Sequence, residues 1–180
     1  MNPLLIGAGL GIVRRMSFAA PIVVEGLSVK PEWIDGNGHM NVGYYNVAFD
    51  LALDKACGLI DLDWKYVERT QCSTFVLETH VTYQREVKQD DPLRFTFQLL
   101  DYDEKRFHYI LGMYHATEGF LSATSEQICL HVDLRTRRTA PMPPAALAHF
   151  KAMLESHRKL PRPPEVGSVI GIRRKQPTTA

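Results

Sequence analysis

An acid and a histidine stand four positions apart in a turn-forming stretch of the chain, Asp35-Gly-Asn-Gly-His39. A carboxylate can attack a carbonyl carbon directly or take a proton from water, and a histidine can orient it or bond the substrate. Gly38 lets the backbone approach a ligand closely, and Asn41 is a good helix N-cap. An acid on such a loop at the start of a helix is typical of a catalytic arrangement.

The helix that positions this acid is predicted to run from Val42 to about Cys57. Its polar residues recur every fourth position: Asn46, Asp50 and Asp54. Nearly all the others are apolar or aromatic, so we expect the helix to be covered on most sides. Its N-terminus offers free N–H groups and the positive end of the helix dipole, where an oxyanion can be stabilised.

Alternating apolar residues predict one strand before this helix and four strands after it. The predicted strands are Pro21–Lys30, Thr74–Val87, Leu93–Leu100, Lys105–His115 and Phe120–Asp133. Short turns between the last four predict an antiparallel meander. Residues 61–73 are interpreted as a polar connection, and a second helix opens at Pro141–Pro144. Because one sheet must cover the central helix, the expected fold class is α+β, with the sheet curled around the helix.

The composition of the chain excludes several classes of function. The 180 residues suit a single domain, and a formal net charge of +1 gives no reason to expect a nucleic-acid partner. Three isolated cysteines indicate a reducing, cytoplasmic setting, and no apolar run reaches the roughly 18 residues that span a membrane. We expect no metal site, because no His, Cys, Asp or Glu spacing is typical of one.

The chain is divided into a flexible leader, 1–20, a catalytic domain, 21–142, and a C-terminal helix with a proline-rich tail, 143–180. Within the leader, Arg14 and Arg15 follow the apolar run, the reverse of the order in a signal peptide. The glycines at 7, 9 and 11 have the wrong spacing for a dinucleotide fingerprint.

The pattern Asp35-x-x-Gly38-His39-x-Asn41, followed by Tyr44, Tyr45 and Phe49, resembles the motif of hot-dog-fold acyl-CoA thioesterases of the 4-hydroxybenzoyl-CoA thioesterase type. The resemblance covers roughly Ile22 to Met142. Within that group the chain is most similar to thioesterases found with, or fused to, carnitine dehydrogenases, which act on betainyl-CoA. The segments that carry this likeness are Trp33–Asp50, Glu78–Tyr83, Lys105–His108 and Ala123–Asp133.

This resemblance implies a hot-dog fold and hydrolysis of a short acyl-CoA to free acid and CoA, with betainyl-CoA giving betaine in carnitine breakdown. It implies no cofactor, since coenzyme A is part of the substrate, and a homodimer or dimer of dimers, since such sites usually lie between subunits. The chain departs from many members by having Val42 instead of a second asparagine. It also has Asp90-Asp91-Pro92 where a Gly-Asp pair is common.

Carried onto this sequence, the family motif and the chemistry give two sets of site residues. The catalytic set is Asp35, His39, Asn41, Glu78 and the backbone N–H of Val42. The substrate-binding set is Trp33, Gly38, Tyr44, Tyr45, Phe75, Lys105, Arg106 and Arg135. The aromatic residues, together with Trp64 and Tyr66, could cage a quaternary ammonium group, and the basic residues could meet the phosphates of CoA.

Structural roles compete with each of these assignments. Asp35 could merely cap its turn, His39 could tie down its own loop, and Glu78 could lie on a solvated strand face. The aromatic residues could be core, and the basic residues could be solvated loop ends. Two other functions also stay open: an enoyl-CoA hydratase of the same fold, whose Asp-x-Asn-Pro-x-His motif this chain only approximates, and a non-catalytic acyl-CoA binder.

Overall fold

The structure, a computed structural model, describes residues 17–172. Most of the predicted leader, with its three glycines, lies outside the described residues. The strands are β1 (Ile22–Ser28), β2 (Cys72–Tyr83), β3 (Pro92–Tyr102), β4 (Arg106–His115), β5 (Leu121–Asp133) and β6 (Arg138–Thr139). The helices are α1 (Val42–Cys57), α2 (Trp64–Thr70) and α3 (Pro144–His157). The predicted bounds of the central helix are confirmed.

One antiparallel sheet has the strand order β1-β3-β4-β5-β2, with the short β6 added to β5. The meander is confirmed for β3, β4 and β5, but the prediction that β2 belongs to it is wrong, since β2 pairs with β5. The connection from β2 to β3 does not turn back tightly. Val87 in this connection is fully buried, and its carbonyl accepts the Met40 N–H at 2.9 Å.

Helix α1 lies on the concave face of this curled sheet. Ala48, Phe49 and Ala52 have no exposed surface, and the Phe49 ring packs edge-on against Phe95, with centroids 5.9 Å apart. The alanines let the helix approach the sheet closely. Val47 on the other side of the helix is 43% exposed. The sequence predicted that α1 is covered on most sides, but only the side toward the sheet is buried.

A short helix, α2, replaces the polar connection that the sequence predicted for residues 61–73. Asp63 caps it by accepting the Tyr66 N–H at 3.0 Å. The Tyr66 ring is buried, and its hydroxyl lies 2.8 Å from His131 Nε2 on β5. Seven residues are too few to show a helical period in the sequence, so this prediction was wrong.

Strand β2 contains a bulge that the sequence did not predict. Its pairing with β5 shifts between Val76 and Glu78, which leaves Leu77 as the extra residue. Before the bulge Val76 lies opposite Cys129, on the face toward α1, whereas Glu78 lies opposite Ile128, on the outer face. The alternation predicted over Thr74–Val87 therefore changes phase in the middle of the strand.

The C-terminal segment closes the fold and then crosses the outer face of the sheet. His157 at the end of α3 is buried: its Nδ1 accepts the Leu99 N–H at 2.8 Å, and its Nε2 lies 2.8 Å from the carbonyl of Ala19. Farther on, the Gly167 N–H donates to Glu126 Oε2 at 2.7 Å.

Candidate active site

The Asp35 loop is a miniature hairpin. Ile34 and Met40 form an antiparallel bridge, and the turn between them is closed by a hydrogen bond of 3.0 Å from the Gly38 N–H to the Asp35 carbonyl. Gly38 has a φ of 80°, a conformation that favours glycine. The Asn41 N–H donates to the Trp33 carbonyl at 2.8 Å, which fixes the hairpin to the start of α1.

The Asp35 carboxylate is held by two donors. Its Oδ1 accepts the Asn37 N–H at 2.8 Å, and its Oδ2 accepts the Asn41 side-chain amide at 3.2 Å. The bond from Asn37, then that from Asn41, and the nearby His39 lower the pKa of Asp35 below its usual value. The carboxylate is therefore ionised at neutral pH, as a nucleophile or a general base must be.

Asn41 joins the acid to the helix. While its amide nitrogen donates to Asp35, its Oδ1 accepts the Gly43 N–H at 3.0 Å and caps α1. The Tyr44 N–H is bonded to the Asn41 carbonyl. Among residues 17–172 the Val42 N–H, the first of the helix, has no acceptor. A donor at the positive end of the dipole is thus available to a developing oxyanion.

His39 does not hydrogen-bond to Asp35 within the described chain. Its Nδ1 lies 3.3 Å from the carbonyl of Met40, so the ring is tied to its own loop. The ring also lines a cavity of about 280 Å³ beside the start of α1. His39 therefore shares with Val42 a cavity in which it can contact a substrate.

The same cavity includes residues that were not predicted as site residues, from the end of β2 and the connection after it. They are Tyr83, Gln84, Arg85 and Glu86, and they lie beside Val42 and Tyr45. The Tyr83 ring meets the Tyr45 ring edge-on, with centroids 5.0 Å apart. Tyr83 belongs to a segment that carried the family resemblance, but its place beside α1 depends on the pairing of β2 with β5.

The predicted aromatic cage is not a single cluster in one chain. Trp33 is buried and stacks on Tyr44, with centroids 5.8 Å apart, so it supports the loop from beneath. Phe75 has the guanidinium of Arg137 5.3 Å from its centroid, and it lines the same cavity as Trp64. Trp64 lies at the other end of α1, beside the Asp54 carboxylate.

Glu78 lies on the outer face of the sheet, away from α1 in the same chain. It borders a surface cavity with His80, His108 and Glu126. His108 Nε2 is 2.8 Å from Glu126 Oε1 in this group. A single chain therefore does not bring Glu78 to the Asp35 loop, and its catalytic role stays a prediction.

The three basic residues predicted to bind CoA lie at the far end of the sheet from the Asp35 loop. Val29, shortly before the loop, donates its N–H to the Asp91 carbonyl, and the Asp91 carboxylate lies 3.5 Å from His115 at the end of β4. Arg106 begins that strand, nine residues or about 30 Å away. Each basic residue has an acidic neighbour: Lys105 with Glu104, Arg106 with Asp103 and Arg135 with Asp133.

The profile of the thioesterase-like superfamily matches residues 29–150, which include the Asp35 loop, α1 and the whole sheet except β1. The chain belongs to this family of thioester hydrolases. The curled sheet around α1 is its hot-dog fold, as the sequence predicted.

Two relatives and a solved structure agree with this assignment. A betainyl-CoA thioesterase of Pseudomonas aeruginosa is 40% identical over 144 residues, 80% of this chain and 91% of the relative. An L-carnitine dehydrogenase/betainyl-CoA thioesterase of Rhizobium meliloti is 34% identical over 161 residues, 89% of this chain but 32% of that longer protein. A Staphylococcus aureus protein solved in complex with CoA has a TM-score of 0.78 and 26% identity, with 88% of this chain and 100% of the other covered.

None of the helices within residues 17–172 is long and apolar enough to cross a membrane. No group of three His, Cys, Asp or Glu side chains in that range is arranged to hold a metal ion.

Proposed function

We propose that this protein hydrolyses betainyl-CoA to betaine and CoA. The observation that carries the proposal is the ionised Asp35 carboxylate fixed beside the unpaired N–H of Val42 at the start of α1. The choice of acyl group is supported by the 40% identity to a betainyl-CoA thioesterase, which extends over nearly the whole length of that relative.

In the proposed reaction the thioester carbonyl oxygen accepts the Val42 N–H, and Asp35 lies against the carbonyl carbon. The carboxylate either attacks this carbon or takes a proton from a water that attacks it. If the carboxylate attacks, the C–S bond breaks, the CoA thiolate leaves, and a water then hydrolyses the mixed anhydride on Asp35, which releases the acid and restores the carboxylate. If a water attacks, Asp35 takes its proton, the C–S bond breaks, and that proton passes to the departing thiolate as the acid is released. Both routes need Asp35 ionised, and neither needs a cofactor, since coenzyme A enters and leaves with the substrate.

The assembly that we propose is a homodimer or a dimer of dimers in the cytoplasm. Strand β2 ends the sheet and pairs on one side only within residues 17–172. Val76 and Leu77 on this strand are 46% and 55% exposed, and Val42 and Val47 on α1 are 58% and 43% exposed. An open edge beside uncovered apolar residues fits pairing with a second copy of the chain.

The test is thiol release from a panel of acyl-CoA substrates, followed with Ellman's reagent. We expect turnover of betainyl-CoA by the wild type and its loss in Asp35→Asn. Glu32→Gln, which removes an exposed acid three residues before the loop, serves as the matched control and should keep full activity. Absence of thiol release from every substrate, or loss of enoyl absorbance with crotonyl-CoA instead, would refute the proposal.

A further inference from the structure

A second cavity, of about 270 Å³, lies between α1, α2 and β2. Its apolar lining comes from side chains such as Leu53, Val67 and Val76. Its polar lining is dominated by three carboxylates: Asp50 and Asp54 from α1 and Asp63 from the N-cap of α2. The volume is slightly below the roughly 300–1,000 Å³ of pockets for drug-sized ligands, so it suits a small headgroup.

The carboxylates of this pocket make no ion pair within residues 17–172. No Lys, Arg or His lines the cavity, and none of the ion pairs found within residues 17–172 includes one of its carboxylates. Burial, and then the charge of Asp54, raise the pKa of Asp50. Burial raises the pKa of Cys129 to about 11, and Asp50 adds to the effect. The pocket is thus a region of negative potential.

Trp64 gives the pocket an aromatic wall. Its indole N–H donates to Asp54 Oδ2 at 3.0 Å, which fixes the ring, and yet 64% of the residue is exposed. A quaternary ammonium group cannot donate hydrogen bonds, so it is held by aromatic faces and nearby negative charge. The carboxylates are not arranged as metal ligands. This arrangement favours a bulky organic cation over a metal ion.

We propose that the pocket formed by Asp50, Asp54, Asp63 and Trp64 binds the quaternary ammonium group of the substrate. This inference rests on the function proposed above and deepens it, since it assigns the recognition of the positive charge to residues outside the Asp35 loop.

The position of the pocket on α1 shows which active site it serves. Asp50 lies eight residues beyond Val42, about 12 Å along the helix axis. In a betainyl group the nitrogen lies two bonds, about 2.5 Å, from the thioester carbon. The ammonium group of a substrate bound at Val42 therefore cannot reach Asp50 of the same chain. Because Val76 of the open-edged strand β2 lines the pocket, the pocket faces the side where a partner joins. We assign it to the active site of the partner subunit.

The charge recognition is tested with a pair of substrates of the same shape. The quaternary nitrogen of betainyl-CoA is a quaternary carbon in 3,3-dimethylbutyryl-CoA, and the two substrates are otherwise the same. We expect Asp50→Asn to lower kcat/KM for betainyl-CoA about tenfold to hundredfold, and to change that for the neutral analogue less than about threefold. Glu68→Gln, which removes an exposed acid of α2 outside the pocket lining, should leave both values unchanged.

An equal effect of Asp50→Asn on the two substrates, or no effect on either, would overturn the inference while leaving thioester hydrolysis intact. Trp64→Leu should likewise lower the preference for betainyl-CoA, whereas Trp64→Phe, which keeps an aromatic face, should keep more of it. If the wild type released no thiol from either substrate, the proposed function itself would fail, so the two failures are distinguishable.

The assignment to the partner is tested with mixed dimers. Chains carrying Asp35→Asn and Asp50→Asn under different affinity tags are co-expressed, and the mixed dimer is isolated with both tags. If each site takes its acid from one chain and its cation pocket from the other, one site of the mixed dimer is wild type. About half the wild-type activity with betainyl-CoA is then expected. If both come from the same chain, the activity does not exceed the mean of the two variant homodimers, and the assignment is wrong.

Discussion

Asn41 performs two tasks that substitutions can separate. Its Oδ1 caps α1 through the Gly43 N–H at 3.0 Å, and its Nδ2 donates to Asp35 Oδ2 at 3.2 Å. In Asn41→Asp the capping oxygen stays, but a second carboxylate replaces the donor to Asp35. We expect near wild-type stability together with a raised pKa of Asp35, because like charges disfavour ionisation.

The result is read from the pH dependence of kcat/KM. Asp35 must be ionised to act, and its pKa is lowered in the wild type, so activity is lost only when the pH falls through that lowered value. In Asn41→Asp the acid limb of the profile should move to higher pH, with activity at pH 8 largely kept. Asn41→Ala loses both bonds: the missing cap should destabilise the protein by about 1 kcal/mol, and lower Tm by about 2–4 °C.

Asn41→Ser is the matched control, because a serine hydroxyl also caps a helix but is too short to replace the bond to Asp35. It should keep most of the stability and shift the acid limb upward, though less than the aspartate does. An acid limb that stays in place in all three variants would show that Asn41 does not tune Asp35, and that the cap is its whole role.

Three further outcomes are expected. His157→Phe should destabilise the fold by about 2–4 kcal/mol in urea titrations, since one buried and one part-buried hydrogen bond are lost. Because burial lowers the pKa of His157, wild-type stability should fall as the pH drops below about 6.5, and the variant should lack this pH dependence. Gly112→Ala would place a Cβ 2.9 Å from two side-chain atoms, and a loss of about 1–3 kcal/mol is expected in thermal melts. In native protein Ellman's reagent should react with Cys72 before the buried Cys57 and Cys129, and equal rates would contradict their burial.

The local features of the site were predictable because they depend on neighbours in the chain. The turn glycine, the asparagine cap and the start of α1 at Val42 follow from residue types that favour one backbone conformation each. The family motif then pointed to Asp35. The structure confirms the turn glycine, the cap and the start of α1, whereas the hydrogen bond between Asn41 and Asp35 was not predicted and the catalytic role of Asp35 stays a prediction.

The features that depend on distant pairing were not predictable. The place of β2 beside β5 and the bulge at Leu77 depend on the fit between two strands that are about 50 residues apart in the sequence. The aspartates of α1 illustrate the same limit. A polar stripe every fourth residue normally indicates a solvated helix face, and only the position of α2 turns part of that stripe into the wall of a cavity.

The open edge of β2 has a consequence for how the protein survives in a cell. A sheet edge with exposed Val76 and Leu77 is a template for pairing with any available strand, and in the homodimer that we propose the second copy covers this edge. The protein's resistance to heat should therefore rise with protein concentration, by mass action. A cell that makes only a little of it would hold a larger share as the vulnerable single chain, exposed to aggregation and to proteases.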